Sequence, residues 1–261
     1  MPANYAHYRM ANALLPTFPA DICRTIHRFR RLFDVGLHGP DIFLYHRMLL
    51  PTSVNALGSK YHQQTGREFF MRACHVARTE KSEAAAAYIY GVLCHYVLDS
   101  RCTPFISEKA KQGIAGYGEI EVEFDRFLLE MDGKCPPESQ DLSQHLHLTP
   151  GECATVAKFY PPATPRQVQS SLHSMRTTLK RFAAPEGARR AVLRKILSIF
   201  GTHFQAMLMT TGPNPKCAQL DGLLLEHYQQ AVAELPELLR QLYAHMTYNG
   251  MFGEEFTKIF G

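Results

Sequence analysis

The feature that most constrains the fold is an uninterrupted apolar segment, AAAAYIYGVLCHYVLDS, at positions 84–100. It opens with four alanines, the residues of highest helix propensity, and it stays apolar as far as Asp99. Ser82 is suited to cap the start of a helix, and Pro104 is expected to end it. The segment therefore predicts a buried helix that carries polar groups at its end.

The other periodic segments also have helical spacing. In IEVEFDRFLLEM at 120–131, Ile120, Phe124 and Phe127 follow steps of three and four, which favours a helix over the strand that the first residues suggest. No segment shows sustained strand alternation between hairpin turns. The sequence predicts an all-α protein, and further helices are expected near 3–15, 19–33, 53–64, 66–79, 165–182, 187–210 and 221–247.

Loop-forming residues concentrate in two segments. VGLHGPDIF at 35–43 has two glycines and a proline, and DGKCPPESQDLSQHLHLTPGE at 132–152 is polar and rich in proline. We expect 132–152 to be a flexible surface loop. Because the chain has no internal repeat, low-complexity tract or block of charge, residues 1–261 are predicted to form one domain.

Composition excludes several classes of protein. No apolar run approaches the roughly 20 residues that span a bilayer, and the N-terminus lacks the pattern of a secretory signal. The seven cysteines are odd in number and include no CxxC pair, which favours a reduced, cytoplasmic chain. The net charge of +4 is spread along the chain and is too small to indicate a nucleic-acid partner. The 13 histidines are abundant enough to justify a search for a metal site.

The sharpest local signal is the pair His95 and Asp99. Their i, i+4 spacing places both side chains on one helical face, where an imidazole nitrogen and a carboxylate oxygen can bind the same metal ion. The same spacing is also typical of a hydrogen bond on a helix surface. The apolar setting favours the metal, because a buried His and Asp need a partner that offsets their desolvation.

Three further positions are candidates with alternatives of their own. In His38-Gly-Pro-Asp41 the turn would present Asp41 at a fixed angle, or Asp41 would cap the next helix. His62 falls near a break between two predicted helices, and His7 lies in the predicted helix near 3–15. Either histidine could equally be structural or solvated.

Five motifs resemble, in order, those of the bacterial zinc-dependent phospholipase C family. The resemblance covers at least residues 1–131, and the motifs are MPANYAHYR, LHGPDIFLYH, LGSKYHQQTGREFF, YGVLCHYVLDSRCTPF and EIEVEFDRFL. It implies a single multi-helix bundle of the type shared with the zinc-dependent single-strand nucleases. In that family up to three zinc ions bind the phosphate of a lipid headgroup and activate a water molecule.

The resemblance also implies site residues. Asp41, His62, His95 and Asp99 match the ligands of one zinc, and Asp41 matches the carboxylate that orients or deprotonates the water. His7 matches a ligand of a neighbouring zinc that Asp99 would bridge. Glu121 matches the glutamate of the third site.

The chain departs from the family pattern at two positions of that third site. Thr103 and Tyr117 stand where the family has histidines, and neutral hydroxyls bind zinc far more weakly than imidazole does. Cys102, His145 and His147 are candidate substitutes. We therefore expect one complete zinc site, and up to three zinc ions are possible.

Two functions follow from these observations. The first is a metal-dependent phosphodiester hydrolase that acts on a phospholipid or another small phosphodiester and contacts a membrane surface transiently. The second is a degenerate family member that keeps one zinc as a structural or binding site. Hydrolysis of nucleic acid is less favoured, because the chain has no Trp and no strongly basic groove to hold a single strand.

Overall fold

The computed structural model describes residues 4–261, apart from the side chains of Thr202 and His203, and this part of the chain is all-α. Besides helices, the described residues form one isolated β-bridge, between Thr65 and Ile259. The α-helices are α1 (Asn4–Leu14), α2 (Ala20–Arg28), α3 (Arg30–Gly36), α4 (Asp41–Leu44), α5 (Ser53–His62), α6 (Gly66–Glu80), α7 (Glu83–Lys111), α8 (Tyr117–Met131), α9 (Pro150–Ala157), α10 (Pro165–Phe182), α11 (Ala188–Ile199), α12 (Thr202–Ala206) and α13 (Asp221–Tyr248).

The apolar segment forms the buried middle of α7, as predicted. Ser82 caps this helix by accepting a hydrogen bond from the backbone N–H of Ala85 at 3.1 Å. Residues 87–98 are all buried, because α3, α6, α8 and α13 pack around α7. A helix enclosed in this way tolerates apolar residues on every side.

The prediction that Pro104 ends this helix is wrong, because α7 continues to Lys111. Proline removes one backbone donor from a helix, which is a local cost. Beyond it, Ile106 is buried and Phe105 packs against the core. This burial stabilises the last turns of α7, and tertiary packing outweighs the local signal.

Two glycines let α3 lie directly against α7. A Cβ atom at Gly91 would come 2.2 Å from the carbonyl oxygen of Phe33, and one at Gly36 would come 2.5 Å from that of Tyr88. Only hydrogen fits at either position. The turn that follows α3 is thereby held over α7, and Gly39 in that turn has a φ of +45° and leaves no room for a Cβ beside the His95 ring.

Two predicted helices are each divided in the structure. The segment 19–33 breaks at Phe29 (φ −119°, ψ 41°), although apolar residues on both sides keep steps of three and four. The segment 187–210 breaks at Gly201, whose φ of +116° is a conformation that side-chain-bearing residues rarely adopt. The short helices α4 and α9 were not predicted.

The predicted loop at 132–152 packs on the bundle. Pro137, Leu146 and Leu148 in this segment are buried, and the segment continues directly into α9. No helix in the described part of the chain is long and apolar enough to cross a membrane. All seven cysteines are free thiols, and Cys74 and Cys94 are buried.

Candidate metal centre

His95 and Asp99 lie on one face of α7 at the centre of the bundle. His95 is completely buried, and its Nε2 lies 3.3 Å from a carboxylate oxygen of Asp99. Neither ring nitrogen of His95 has a hydrogen-bond partner among the described residues. Burial lowers the pKa of His95 to about 4 against the opposing charge of Asp99, so its imidazole is neutral. A neutral, buried imidazole without a hydrogen bond has the chemistry of a metal ligand.

His7 on α1 approaches Asp99 from the other side. Its Nε2 lies 3.2 Å from the second carboxylate oxygen of Asp99, and its ring centroid is 4.6 Å from that of His95. Burial alone would lower the pKa of His7, but the adjacent Asp99 carboxylate raises it above its usual value. Asp99 thus contacts two histidines, one through each oxygen, as a bridging carboxylate would.

Asp125 of α8 holds the start of α1 in place. Its carboxylate accepts hydrogen bonds from the backbone N–H groups of Tyr5 and Ala6, at 2.9 and 2.8 Å. These are donors in the first turn of a helix, which have no partner within the helix itself. This positioning role is not predicted from the sequence, where the one signal for it is a carboxylate one turn after Glu121 on the buried face of α8.

Asp41 and His62 form the opposite side of the cluster. His62 Nε2 lies 2.8 Å from Asp41 Oδ1, and its Nδ1–H donates to the carbonyl oxygen of Gly58 at 2.8 Å. The second bond fixes the ring orientation and leaves Nε2 directed at the site. Burial opposes ionisation of Asp41, but the hydrogen bond with His62 holds its pKa below the usual range.

These five side chains form two overlapping groups of possible metal ligands. In each group the ligand atoms lie within 4.8 Å of one another, and His95 belongs to both. The first group consists of His7, His95 and Asp99, and the second consists of Asp41, His62 and His95. The resemblance implies that Asp99 binds the same zinc as Asp41 and bridges to the zinc of His7, and the geometry groups Asp99 with His7 but not with Asp41. The neutral imidazole and carboxylate donors fit a divalent metal ion.

Glu121 lies near these groups but belongs to neither of them in the described part of the chain. It is buried on α8, where burial and the charges of Asp99 and Asp41 raise its pKa. Thr103 and Tyr117, which stand where the family that the chain resembles has histidines, hydrogen-bond to each other at 3.3 Å. The three members of the expected third site are therefore neighbours, but two of them are hydroxyls.

None of the candidate substitutes belongs to either ligand group among the described residues. Cys102 is buried, and burial together with Asp99 raises the pKa of its thiol. His145 folds back as far as His38, with 2.6 Å between their Nε2 atoms, and its ring stacks on Tyr8. His147 lines a separate surface pocket together with Cys153 of α9 and residues of α10.

A cavity of about 380 Å³ opens beside Glu121. Its wall is mostly apolar and includes two side chains of α12 and the turn after it, Phe204 and Met207. Polar groups reach it from Glu121 and Tyr117 on one side and from Asn55 on the other. A mainly apolar cavity with a few polar groups is typical of a small-molecule site.

Comparisons of this chain with protein-family models, with curated proteins and with solved structures give no significant match. The resemblance to the zinc-dependent phospholipases C therefore stays a prediction from the five motifs. The described geometry contains groups of His and Asp side chains that can hold a metal ion.

Proposed function

We propose that this protein is a zinc-dependent phosphodiester hydrolase that acts on phospholipids, in the manner of a phospholipase C. The observation that carries the proposal is the position of Asp99, which directs one carboxylate oxygen at His7 and the other at His95. Metal pairs close enough to share a ligand are typical of enzymes that displace one oxygen from phosphorus with another. A purely structural zinc instead has four protein ligands of its own.

Each side chain has a definite role in this proposal. His7, His62 and His95 supply imidazole nitrogens, and Asp99 supplies one oxygen toward each of His7 and His95. A zinc ion held there contributes Lewis acidity toward a phosphoryl oxygen and lowers the pKa of a water molecule. Asp41 orients that water as a hydrogen-bond acceptor, because its depressed pKa keeps it ionised.

The cavity beside Glu121 supports a lipid rather than a water-soluble substrate. Its walls include Leu44, Met48 and Leu49, which offer apolar contact to a diacylglycerol leaving group. A nucleotide would need stacking platforms and cationic groups, and the chain contains no tryptophan. The proposal keeps the cytoplasmic location expected from the cysteine content.

The test combines metal content with hydrolysis by the purified full-length protein. We expect about two zinc ions per chain and release of phosphocholine from a short-chain phosphatidylcholine. Asp41→Asn should lower turnover by at least about a hundredfold while the circular dichroism spectrum is unchanged. Asp141→Asn removes a carboxylate from the segment before α9 and is the matched control. Equal turnover in wild type and Asp41→Asn would sink the proposal.

One observation favours a second candidate, a protein that binds a metal ion but has lost catalysis. The Thr103–Tyr117 hydrogen bond uses the hydroxyls that would otherwise face the third site. One zinc per chain, no hydrolysis and a lower melting temperature after chelation would support this alternative.

A further inference from the structure

Helix α11 is held against the bundle by one narrow face. Arg190 and Leu197 are buried on that face, and the Arg190 guanidinium donates to the carbonyl oxygens of Ala184 and Met209. A buried cation that binds backbone oxygens fixes the rotation of the helix about its own axis. The opposite face is thereby turned to solvent.

The solvent-facing side of α11 is an apolar stripe. Val192, Ile196 and Ile199 are 58%, 46% and 77% exposed, and their spacing places them on one side of the helix. Single exposed apolar residues are ordinary, but a stripe of three β-branched residues on one helix is a typical mark of an interaction surface. We call these three residues the α11 stripe.

Positive charge surrounds the α11 stripe. Arg189 and Lys195 are exposed and flank it on either side. Between Glu186 and Asp221 the chain carries five basic residues and no acidic one. Basic residues beside an apolar face indicate an anionic, amphipathic partner.

The stripe leads into the cavity beside Glu121. Phe200 is 44% exposed at the end of α11, and its ring centroid is 6.4 Å from that of Phe204, which lines the cavity. Across the cavity, Leu50 is 60% exposed and also lines it. Arg47, close to Leu50 in the chain, is exposed as well. The cavity therefore has exposed apolar side chains beside it, with the exposed cation of Arg47 close in the chain to one of them.

We infer that α11 and the cavity rim dock on the surface of an anionic lipid bilayer, with the α11 stripe inserted among the acyl chains. Three observations select a bilayer over a protein partner. First, the stripe has aliphatic side chains with cations on both sides of it. Second, α11 has 12 residues, which is too short to span a bilayer but long enough to lie in its interface. Third, the stripe is continuous with an apolar cavity. That a docked lipid enters the cavity as substrate rests on the proposed function, whereas the docking itself does not.

The test is flotation of the full-length protein with vesicles of phosphatidylcholine alone or mixed with phosphatidylglycerol. Wild type should bind the mixed vesicles, and high salt should weaken the binding. Val192→Ser with Ile199→Ser should reduce binding by at least about tenfold. Arg189→Glu with Lys195→Glu should remove the preference for phosphatidylglycerol. Met71→Ser with Met251→Ser, at exposed positions outside the stripe, is the matched control and should bind like wild type.

Three results would overturn the inference. The first is that wild type floats with neither kind of vesicle, and the second is that the serine variant of the stripe binds vesicles like wild type. The third is that wild type is a dimer which the serine variant dissociates, because a second copy of the chain would then cover the α11 stripe. Flotation needs no turnover, so it separates the two proposals. Binding without hydrolysis would count against the proposed function alone, and hydrolysis of a soluble short-chain substrate without binding would count against the docking alone.

Discussion

The hydroxyl of Tyr117 donates a hydrogen bond to Oγ1 of Thr103 over 3.3 Å, so α8 and α7 bring together the two positions at which the family pattern has histidines. Glu121 lies one helical turn after Tyr117 on α8. The three positions of the expected third site are therefore neighbours, and two of them carry hydroxyls.

Restoring both histidines should restore a metal ion. For Thr103→His with Tyr117→His we expect about one additional zinc per chain, because two imidazoles and the Glu121 carboxylate make a three-ligand site. Elemental analysis after purification without chelators measures the change. Thr103→Ala with Tyr117→Phe removes the same hydroxyls without adding ligands, and it should leave the zinc content at the wild-type value. If the double histidine variant gains no metal, the two positions are not a dormant site.

The bridging position of Asp99 predicts a graded loss of metal. Asp99→Ala should weaken the binding of both metal ions, because its two carboxylate oxygens lie toward His7 and His95. His7→Asn and His62→Asn should each remove about one, because each belongs to a single group. Zinc content and melting temperature of the three variants measure this. The same loss of one ion in all three would mean that the five side chains form a single site.

The close crossing of α3 and α7 makes Gly91 intolerant of any side chain. Gly91→Ala places a methyl group 2.2 Å from the Phe33 carbonyl oxygen, so we expect a loss of roughly 2–3 kcal/mol in the free energy of unfolding. Gly222→Ala is the matched control, because no atom lies within 4 Å of a Cβ there and alanine favours the helix by up to about 1 kcal/mol. Urea unfolding of both variants measures the difference. Equal stabilities would show that α3 can move away from α7.

The carboxyl of Asp221 should make the protein less stable as the pH rises through the acidic range. Burial, followed by the charge of Glu123, raises its pKa to about 7 in the folded protein, against about 3.9 in an unfolded chain. Between these values the unfolded chain releases a proton that the folded protein retains, so this group lowers the free energy of unfolding from about pH 4 to about pH 7.

Asp221→Asn removes this ionisation. We expect it to stabilise the protein by about 4 kcal/mol near pH 8 and to have almost no effect near pH 4. Urea unfolding across this range measures the difference. Glu237→Gln on the same helix is the control, and its effect on stability should have the opposite sign. Hydrogen bonds from Gln241 and Arg240 lower the pKa of Glu237, so the ionised carboxylate stabilises the folded protein. An Asp221→Asn effect that does not depend on pH would contradict the prediction.

Local pattern was sufficient for most of the helices and for the pairing of His95 with Asp99, whereas the other candidate ligands were predicted from the family resemblance. Helical spacing depends on near neighbours in the chain, and His95 and Asp99 reach the same space because they lie four residues apart on one helix. Local pattern was insufficient where packing outweighed it. The continuation of α7 past Pro104 depends on the burial of Ile106, which no neighbouring residue indicates.

The sequence by itself determined an all-α chain, and the family resemblance named six candidate metal ligands. Only the tertiary structure decided which of them come together, with His95 in both groups, Asp99 apart from Asp41 and Glu121 in neither group among the described residues. It also decided that Asp125 holds the start of α1 and that α11 presents an apolar stripe beside the cavity. The physical reason is that these relationships join residues far apart in the chain, and their distances depend on how α1, α3 and α8 pack around α7.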